Sequence, residues 1–288
     1  MHVPASVPWE ALGTAPPSTE VSATETATRA ATRAGVRIRL AEGPSTLEPI
    51  SRFLATVWQT PDSQSPFTPD VLRAFVHAGG AVHYASDEYG VAAASALVFC
   101  SPASLGVYSM IAAARASDQG VGYALKHAQR AWALEHGATS MIWTFDPLVS
   151  RNAHFNLAKL GARATEYAVD FYGRVDDGIN RHDETDRLTA VWPLSDPRPS
   201  RLAGPDLDHA VVDPRLAPDG LPYSARDEDG HWCRVPLDIV TTRRLDRPLA
   251  ARWRAAVRDV LRPAFEAGFT ATGFSRSGWY QLTRKEQP

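Results

Sequence analysis

The sequence predicts an α/β (α+β) layer sandwich built on a mixed central sheet. Three observations predict it. Between residues 36 and 172 apolar residues recur with the two-residue period of strands and, in between, with the 3.6-residue period of helices. The order so read is strand, two helices, three strands, helix, strand, helix, strand. One strand is small and apolar almost throughout, as expected of a central strand buried on both faces.

The elements follow in order. Residues 1–34 are rich in Ala, Thr, Ser and Pro and read as a disordered arm, without the basic start and apolar run of an export signal. Val36 to Leu40 alternates apolar and charged residues, a half-buried strand. Ser45 and Thr46 cap a helix carrying Leu47, Ile50, Phe53, Leu54, Val57 and Trp58, and Thr68 caps a second through Leu72 and Phe75. Ala81–Ser86 and Val91–Cys100 form a hairpin about Asp87-Glu88-Tyr89-Gly90. The strand Val107–Ala112 precedes a helix from Gly120 to His136 that buries Val121, Ala124, Leu125, Ala128 and Trp132 and stops at Gly137. A strand at Thr139–Phe145, a short helix at Asn152–Leu160 and a strand over 162–172 complete a domain at 35–180. Residues 181–288 read as a smaller α+β extension. It has loops over 193–230, strands at Leu188–Trp192, Val235–Val240 and Trp279–Leu282, and a helix at Ala250–Ala267 containing Pro263.

Composition narrows the function. The 288 residues are 44% hydrophobic with a net charge of −2 and no basic patch, which argues against nucleic acid as a partner. No apolar run reaches the about 18 residues of a membrane span. Cys100 and Cys233 match no metal or redox spacing and read as small buried hydrophobes, so a reducing, cytoplasmic setting is expected. No metal is expected: Asp183 and Asp186 with His182, and the turn Asp227-Glu228-Asp229-Gly230, match no standard ligand set.

The informative segment is Val107 to Gly122. A buried strand enters a short turn, Ser117-Asp118-Gln119, then Gly120-Val121-Gly122 opens a helix. Glycines there leave the first-turn amides uncovered, and together with the helix dipole they make a seat for an anion such as a pyrophosphate. The dinucleotide fingerprint is excluded because Leu125 stands where its third glycine belongs, and a P-loop is excluded because no Gly-Lys-Ser/Thr follows.

This order of elements, with Gly120-x-Gly122 opening the central helix, resembles the GCN5-related N-acetyltransferase (GNAT) superfamily, whose phosphate motif reads Gln/Arg-x-x-Gly-x-Gly/Ala. Two registers fit: Ser117 to Gly122, which lacks the first Gln or Arg, and Gln119 to Ala124, which shifts the turn by two. The first leaves a full turn between strand and helix. Trp143-Thr144-Phe145-Asp146-Pro147-Leu148, then Asn152, then Lys159-Leu160-Gly161-Ala162, look like the family's second motif. With Asp170-Phe171-Tyr172-Gly173 and Asp186-Arg187-Leu188 through Trp192, they resemble a bacterial subgroup that has an extra C-terminal region.

The resemblance covers residues 36–180. It implies a sheet of the acyl-CoA N-acyltransferase type, acetyl-CoA or another acyl-CoA (succinyl-CoA included) as cofactor, and a small amine or amino acid as acceptor. It places the pyrophosphate on Ser117, Gln119, Gly120, Val121, Gly122 and Tyr123. The pantetheine arm falls to the backbone of Met110, Ile111 and Ala112, on a strand that splays from its neighbour, and Asn152 lies near the cofactor. The family's usual proton donor is a Tyr where this chain has Leu157.

Transfer to an amine needs a neutral amine, a polarised thioester carbonyl and a proton for the thiolate. Asp146, at the end of a strand, is a candidate base, or else turn chemistry before Pro147. His154 has a suitable ordinary pKa of about 6.5. Tyr108 and Ser109 face the acceptor. Asn152 either contacts the cofactor or caps its helix. Two alternatives stand beside the small-amine transferase: a non-catalytic acyl-CoA binder, and a transferase acting on protein amines. Residues 181–288 supply a lid, an acceptor surface or a homodimer interface.

Overall fold

The computed structural model describes residues 17–284 except 101–104, 116–118, 176, 181–182 and 196. It divides into two compact units: Met1–Trp143 with Pro193–Asp196, and Thr144–Trp192 with Pro197–Pro288. The division falls inside a strand.

The first unit contains α1 (Pro17–Arg33), β1 (Ile38–Leu40), α2 (Pro44–Trp58), α3 (Pro69–His77), β2 (Ala81–Asp87), β3 (Gly90–Phe99), β4 (Gly106–Ala114), α4 (Val121–Glu135) and the start of β5 (Ser140–Phe145). Its strands run β1-β2-β3-β4-β5. The first four are mutually antiparallel, and β4 pairs with β5 in parallel. The sheet is therefore mixed. Helices cover both faces. Leu47, Ile50, Phe53 and Leu54 of α2 and Leu72 of α3 pack on Val82, Ala94 and Ala96, whereas Val121 and Leu125 of α4 pack on Ala85 and Ala93. Neighbouring alanines of β3 thus serve opposite layers, which is why that strand is small and apolar throughout.

Several boundaries depart from expectation. The segment expected as a disordered arm is helical from Pro17 to Arg33, and it packs along α4. Its Ala- and Thr-rich composition is too polar to announce a buried stripe, and the helix gains its support from tertiary packing. The cap of α2 is Gly43, with Pro44 in its first turn; Thr46 Oγ1 donates to the Gly43 carbonyl at 2.8 Å. Thr68 does cap α3, but through no side-chain bond.

The second unit contains the end of β5, α5 (Ser150–Ala153), a π-helical turn over His154–Lys159, β6 (Arg163–Ala168), β7 (Arg187–Pro193), β8 (Val211–Val212), β9 (Ser224–Asp227), β10 (Gly230–Arg234), α6 (Ile239–Leu245), α7 (Arg247–Glu266), β11 (Phe269–Phe274) and β12 (Trp279–Arg284). Its strands run β7-β6-β11-β12-β10-β9-β8, with antiparallel pairing, and α7 packs on β6, β10 and β11. Val235–Val240 is not a strand. The chain leaves β10 at Arg234, and Asp238 caps α6 by accepting a bond from the Thr241 amide at 3.0 Å. Pro263 lies within α7 without ending it. Gly161 has φ +74°, and a Cβ there would stand 2.4 Å from the Arg198 carbonyl oxygen. The glycine is thus demanded twice, by conformation and by a crossing backbone.

Candidate functional site

The candidate cofactor residues belong to the first unit. In β4 the register on β3 steps from Leu97↔Ser109 to Ala96↔Ile111, so Met110 is an unpaired bulge residue. The bulge inverts the alternation of faces. Ser109, before it, turns toward α4, and Ile111, after it, packs with the α2 layer. On the other side, the parallel ladder to β5 ends at Tyr108↔Ile142. From Ser109 onward β4 is paired on its β3 side alone among the described residues, and Met110 and Ala112 are exposed. An edge of backbone N–H and C=O groups is therefore available to a ligand.

The chain re-enters at Gln119 and Gly120, both exposed. Gly120 is the N-cap of α4 with φ +79° and ψ −6°, a left-handed conformation that a side chain disfavours. No side chain among the described residues caps this helix. The first intrahelical bond is Ala124 N–H to the Gly120 carbonyl, at 2.9 Å. The amides of Val121, Gly122 and Tyr123 precede it and have no intrahelical partner. A Cβ on Gly122 would meet nothing within 4 Å, and its φ is not left-handed, so neither packing nor backbone conformation requires glycine there. These amides, the helix dipole and the open space above Gly122 suit the close approach of a phosphate. The site therefore fits a coenzyme with a pyrophosphate. Ser117 lies outside the described residues.

Of the proposed catalytic side chains, Ser109 turns toward α4. Its buried Oγ accepts a bond from Lys126 Nζ at 2.9 Å and lies 3.2 Å from Gln129 Nε2. Lys126 is itself buried, with Met141 Sδ at 3.8 Å and the Trp143 ring centroid at 4.0 Å. Desolvation brings its pKa down to about 7. His83 and His127, also buried, are lowered to about 4, chiefly by desolvation. Polar residues Lys126, His127, Gln129 and Arg130 are all buried on α4, because the helix is covered on more sides than its apolar stripe indicates.

Asp146, Asn152 and His154 belong to the second unit. Asp146 is not poised as a base. Its carboxylate takes Arg243 Nη2 at 2.6 Å and Arg254 Nη1 at 3.0 Å, with Arg187 Nη1 at 3.9 Å, and it also accepts the Leu148 amide at 2.9 Å. Burial opposes its ionisation, but the surrounding guanidiniums prevail and hold its pKa well below the usual carboxylate range. Such a group stays charged and accepts no proton near neutral pH. Asn152 does not cap its helix; the N-cap is Val149, and Asn152 is exposed. His154 opens the π-helical turn, and desolvation lowers its pKa, so it is neutral near pH 7. Leu157 is fully buried.

Asp183 and Asp186, weighed as metal ligands, instead bind arginine. Asp183 takes Arg243 Nε at 2.8 Å and Arg254 Nη2 at 2.9 Å, and Asp186 takes Arg258 Nη2 at 2.7 Å and the Tyr167 hydroxyl. No His/Cys/Asp/Glu group fit to hold a metal occurs among the described residues. No described helix is long and apolar enough to cross a membrane.

No family model matches the chain, and no curated protein does. Solved structures similar to it include the IAA acetyltransferase from Bacillus cereus ATCC 14579, 16% identical over 55% of this chain and 99% of that one, with a TM-score of 0.40. The ribosomal-protein-S18-alanine N-acetyltransferase from Escherichia coli is 14% identical over 60% and 98%, TM-score 0.44. A GNAT family acetyltransferase from Elizabethkingia anophelis with acetyl-CoA bound is 12% identical over 55% and 97%, TM-score 0.42. The order strand, two helices, three strands, helix, strand is observed in this chain. It is the order expected from the sequence.

Proposed function

We propose that this chain binds an acyl-coenzyme A in its first unit and transfers the acyl group to an amine. The observation that carries this is the pairing of an α4 N-terminus that no described side chain caps, open above Gly122, with a β4 edge unpaired beyond Tyr108 on its β5 side among the described residues. The amides of Val121, Gly122 and Tyr123 hold the pyrophosphate. The backbone of Met110, Ile111 and Ala112 holds the pantetheine arm and offers N–H donors to the thioester carbonyl. When bound, the acyl-coenzyme A supplies an activated thioester. Asp146 and Ser109 are committed to Arg254 and Lys126, so neither is proposed to move a proton; of the candidates, Tyr108 lies on β4 in the first unit itself and is the side chain proposed for that role. The proposed acyl group is acetyl or succinyl, and the proposed acceptor a small amine or amino acid.

A second reading, an acyl-coenzyme A binder without turnover, is favoured by one observation: the place of the family's acid is Leu157, fully buried. Thiol release measured with acetyl- and succinyl-coenzyme A across a panel of amino acids and small amines separates the two. Amine-dependent release supports transfer. Binding of the coenzyme without release under any amine supports the second reading, and absence of binding sinks both.

A further inference from the structure

The second unit holds a cavity of about 260 Å³ lined by three arginines, Arg243, Arg247 and Arg254, two carboxylates, Asp183 and Glu184, and the small residues Ala250 and Ala251. Its chemistry is set by the largely buried ion cluster to which its charged side chains, Arg247 apart, belong. Arg187, Arg243, Arg254 and Arg258 face Asp146, Asp183, Glu184 and Asp186, so the cluster is balanced in charge. It is not balanced in donors. Arg243 spends Nε on Asp183 and Nη2 on Asp146, and its buried Nη1 has no partner. Arg254 spends both Nη atoms on the same two carboxylates, and its buried Nε has none. Both side chains are only 2% exposed. Buried donors without acceptors are rare enough to need an explanation.

Arg247 adds the missing sign. It lines the same cavity at the first position of α7, is exposed, and has no ion-pair partner among the described residues. The side chains lining the cavity thus carry one guanidinium beyond neutrality, and two of them keep a buried N–H group without an acceptor. Ala250 and Ala251 leave room beside it, because a methyl is all that projects from two consecutive residues of α7. Planar forks of N–H donors complement oxyanions. The volume suits a small metabolite rather than a coenzyme.

We infer that this cavity is a binding site for the carboxylate or phosphate group of a small anion, with Arg247 as the docking cation and the Arg243–Arg254 pair as its rigid back wall. The pair is rigid because Asp146 and Asp183 each bridge both guanidiniums. This site does not depend on the acyl-coenzyme A reading.

The test is calorimetric titration of the full chain with malonate and, separately, with inorganic phosphate, to about 10 mM. Arg247→Ala and Ala251→Glu are run beside it. Both positions are exposed, so either variant serves if the other fails to fold. One-to-one binding of either anion, weakened tenfold or more in the folded variants, is the expected result. A preference for malonate assigns a carboxylate, and a preference for phosphate assigns a phosphate ester. Coenzyme A affinity, measured in the same variants, stays unchanged, which keeps this test apart from that of the first unit. Failure of both anions to bind, or binding that the variants leave intact, overturns the inference.

Discussion

Arg254 holds Asp146 through two hydrogen bonds, Nη1 to Oδ1 at 3.0 Å and Nη2 to Oδ2 at 3.2 Å, from 108 residues further along the chain. The pair turns a carboxylate at a strand end, where catalysis is commonly sought, into the anchor of a buried ion network. Asp146→Asn is expected to destabilise the protein by about 3–5 kcal/mol, because it leaves buried guanidinium uncompensated. Urea unfolding of variant and wild type measures the difference. The depressed pKa fixes the sign of any pH effect: the stabilisation is full above the unfolded-state carboxylate pKa and is lost as pH falls through the lower folded value. Between pH 5 and 9 the difference is therefore expected to stay flat. A rise or fall within that window would mean that Asp146 titrates there.

Lys126 gives the opposite kind of dependence. Its folded pKa of about 7 lies below the ordinary lysine value, so the folded chain carries fewer protons than the unfolded chain from about pH 7 upward. The penalty of burying the cation is complete below pH 7 and fades as pH rises toward 10. Lys126→Met keeps the length of the side chain, and Ser109 and Gln129 retain each other at 3.2 Å. The variant is expected to be more stable than wild type by about 1–3 kcal/mol at pH 6, with the gap closing near pH 10. Denaturant midpoints at several pH values check this. A gap independent of pH would contradict a titrating Lys126.

The two glycines of the α4 turn are expected to separate stability from binding. Gly120→Ala forces a side chain into a left-handed backbone and costs about 1–2 kcal/mol of stability. Gly122→Ala meets no atom within 4 Å and sits in a helix, so it is neutral or stabilising by up to about 1 kcal/mol. Gly122→Trp leaves folding intact but fills the space in which a phosphate approaches, and coenzyme A affinity is expected to fall at least tenfold. Thermal melts and calorimetry on the three variants distinguish these outcomes.

Much of the first unit was legible because its signals are local. A run of small apolar residues marked β3, Asp87-Glu88-Tyr89-Gly90 marked the hairpin, and Gly120 and Gly137 bracketed α4. What stayed hidden depends on distant partners. Helix α1 has a polar, Thr-rich sequence whose packing partner is α4, and Lys126 and Gln129 of α4, on what periodicity reads as a solvent side, turn onto Ser109 of β4. Val235–Val240 is apolar enough for a strand, yet Asp238 three residues before Thr241 was a visible helix start. The partners of Asp146 lie 97 and 108 residues away on α6 and α7, and no spacing rule joins them.

The most direct test of the acyl-coenzyme A site is the amide spectrum of the ¹⁵N-labelled chain on titration with coenzyme A. The expected result is large, saturable shifts of the Val121, Gly122 and Tyr123 amides, together with those of Met110 to Ala112. Saturable binding that leaves these six amides in place, or no shift at any residue, would contradict the account.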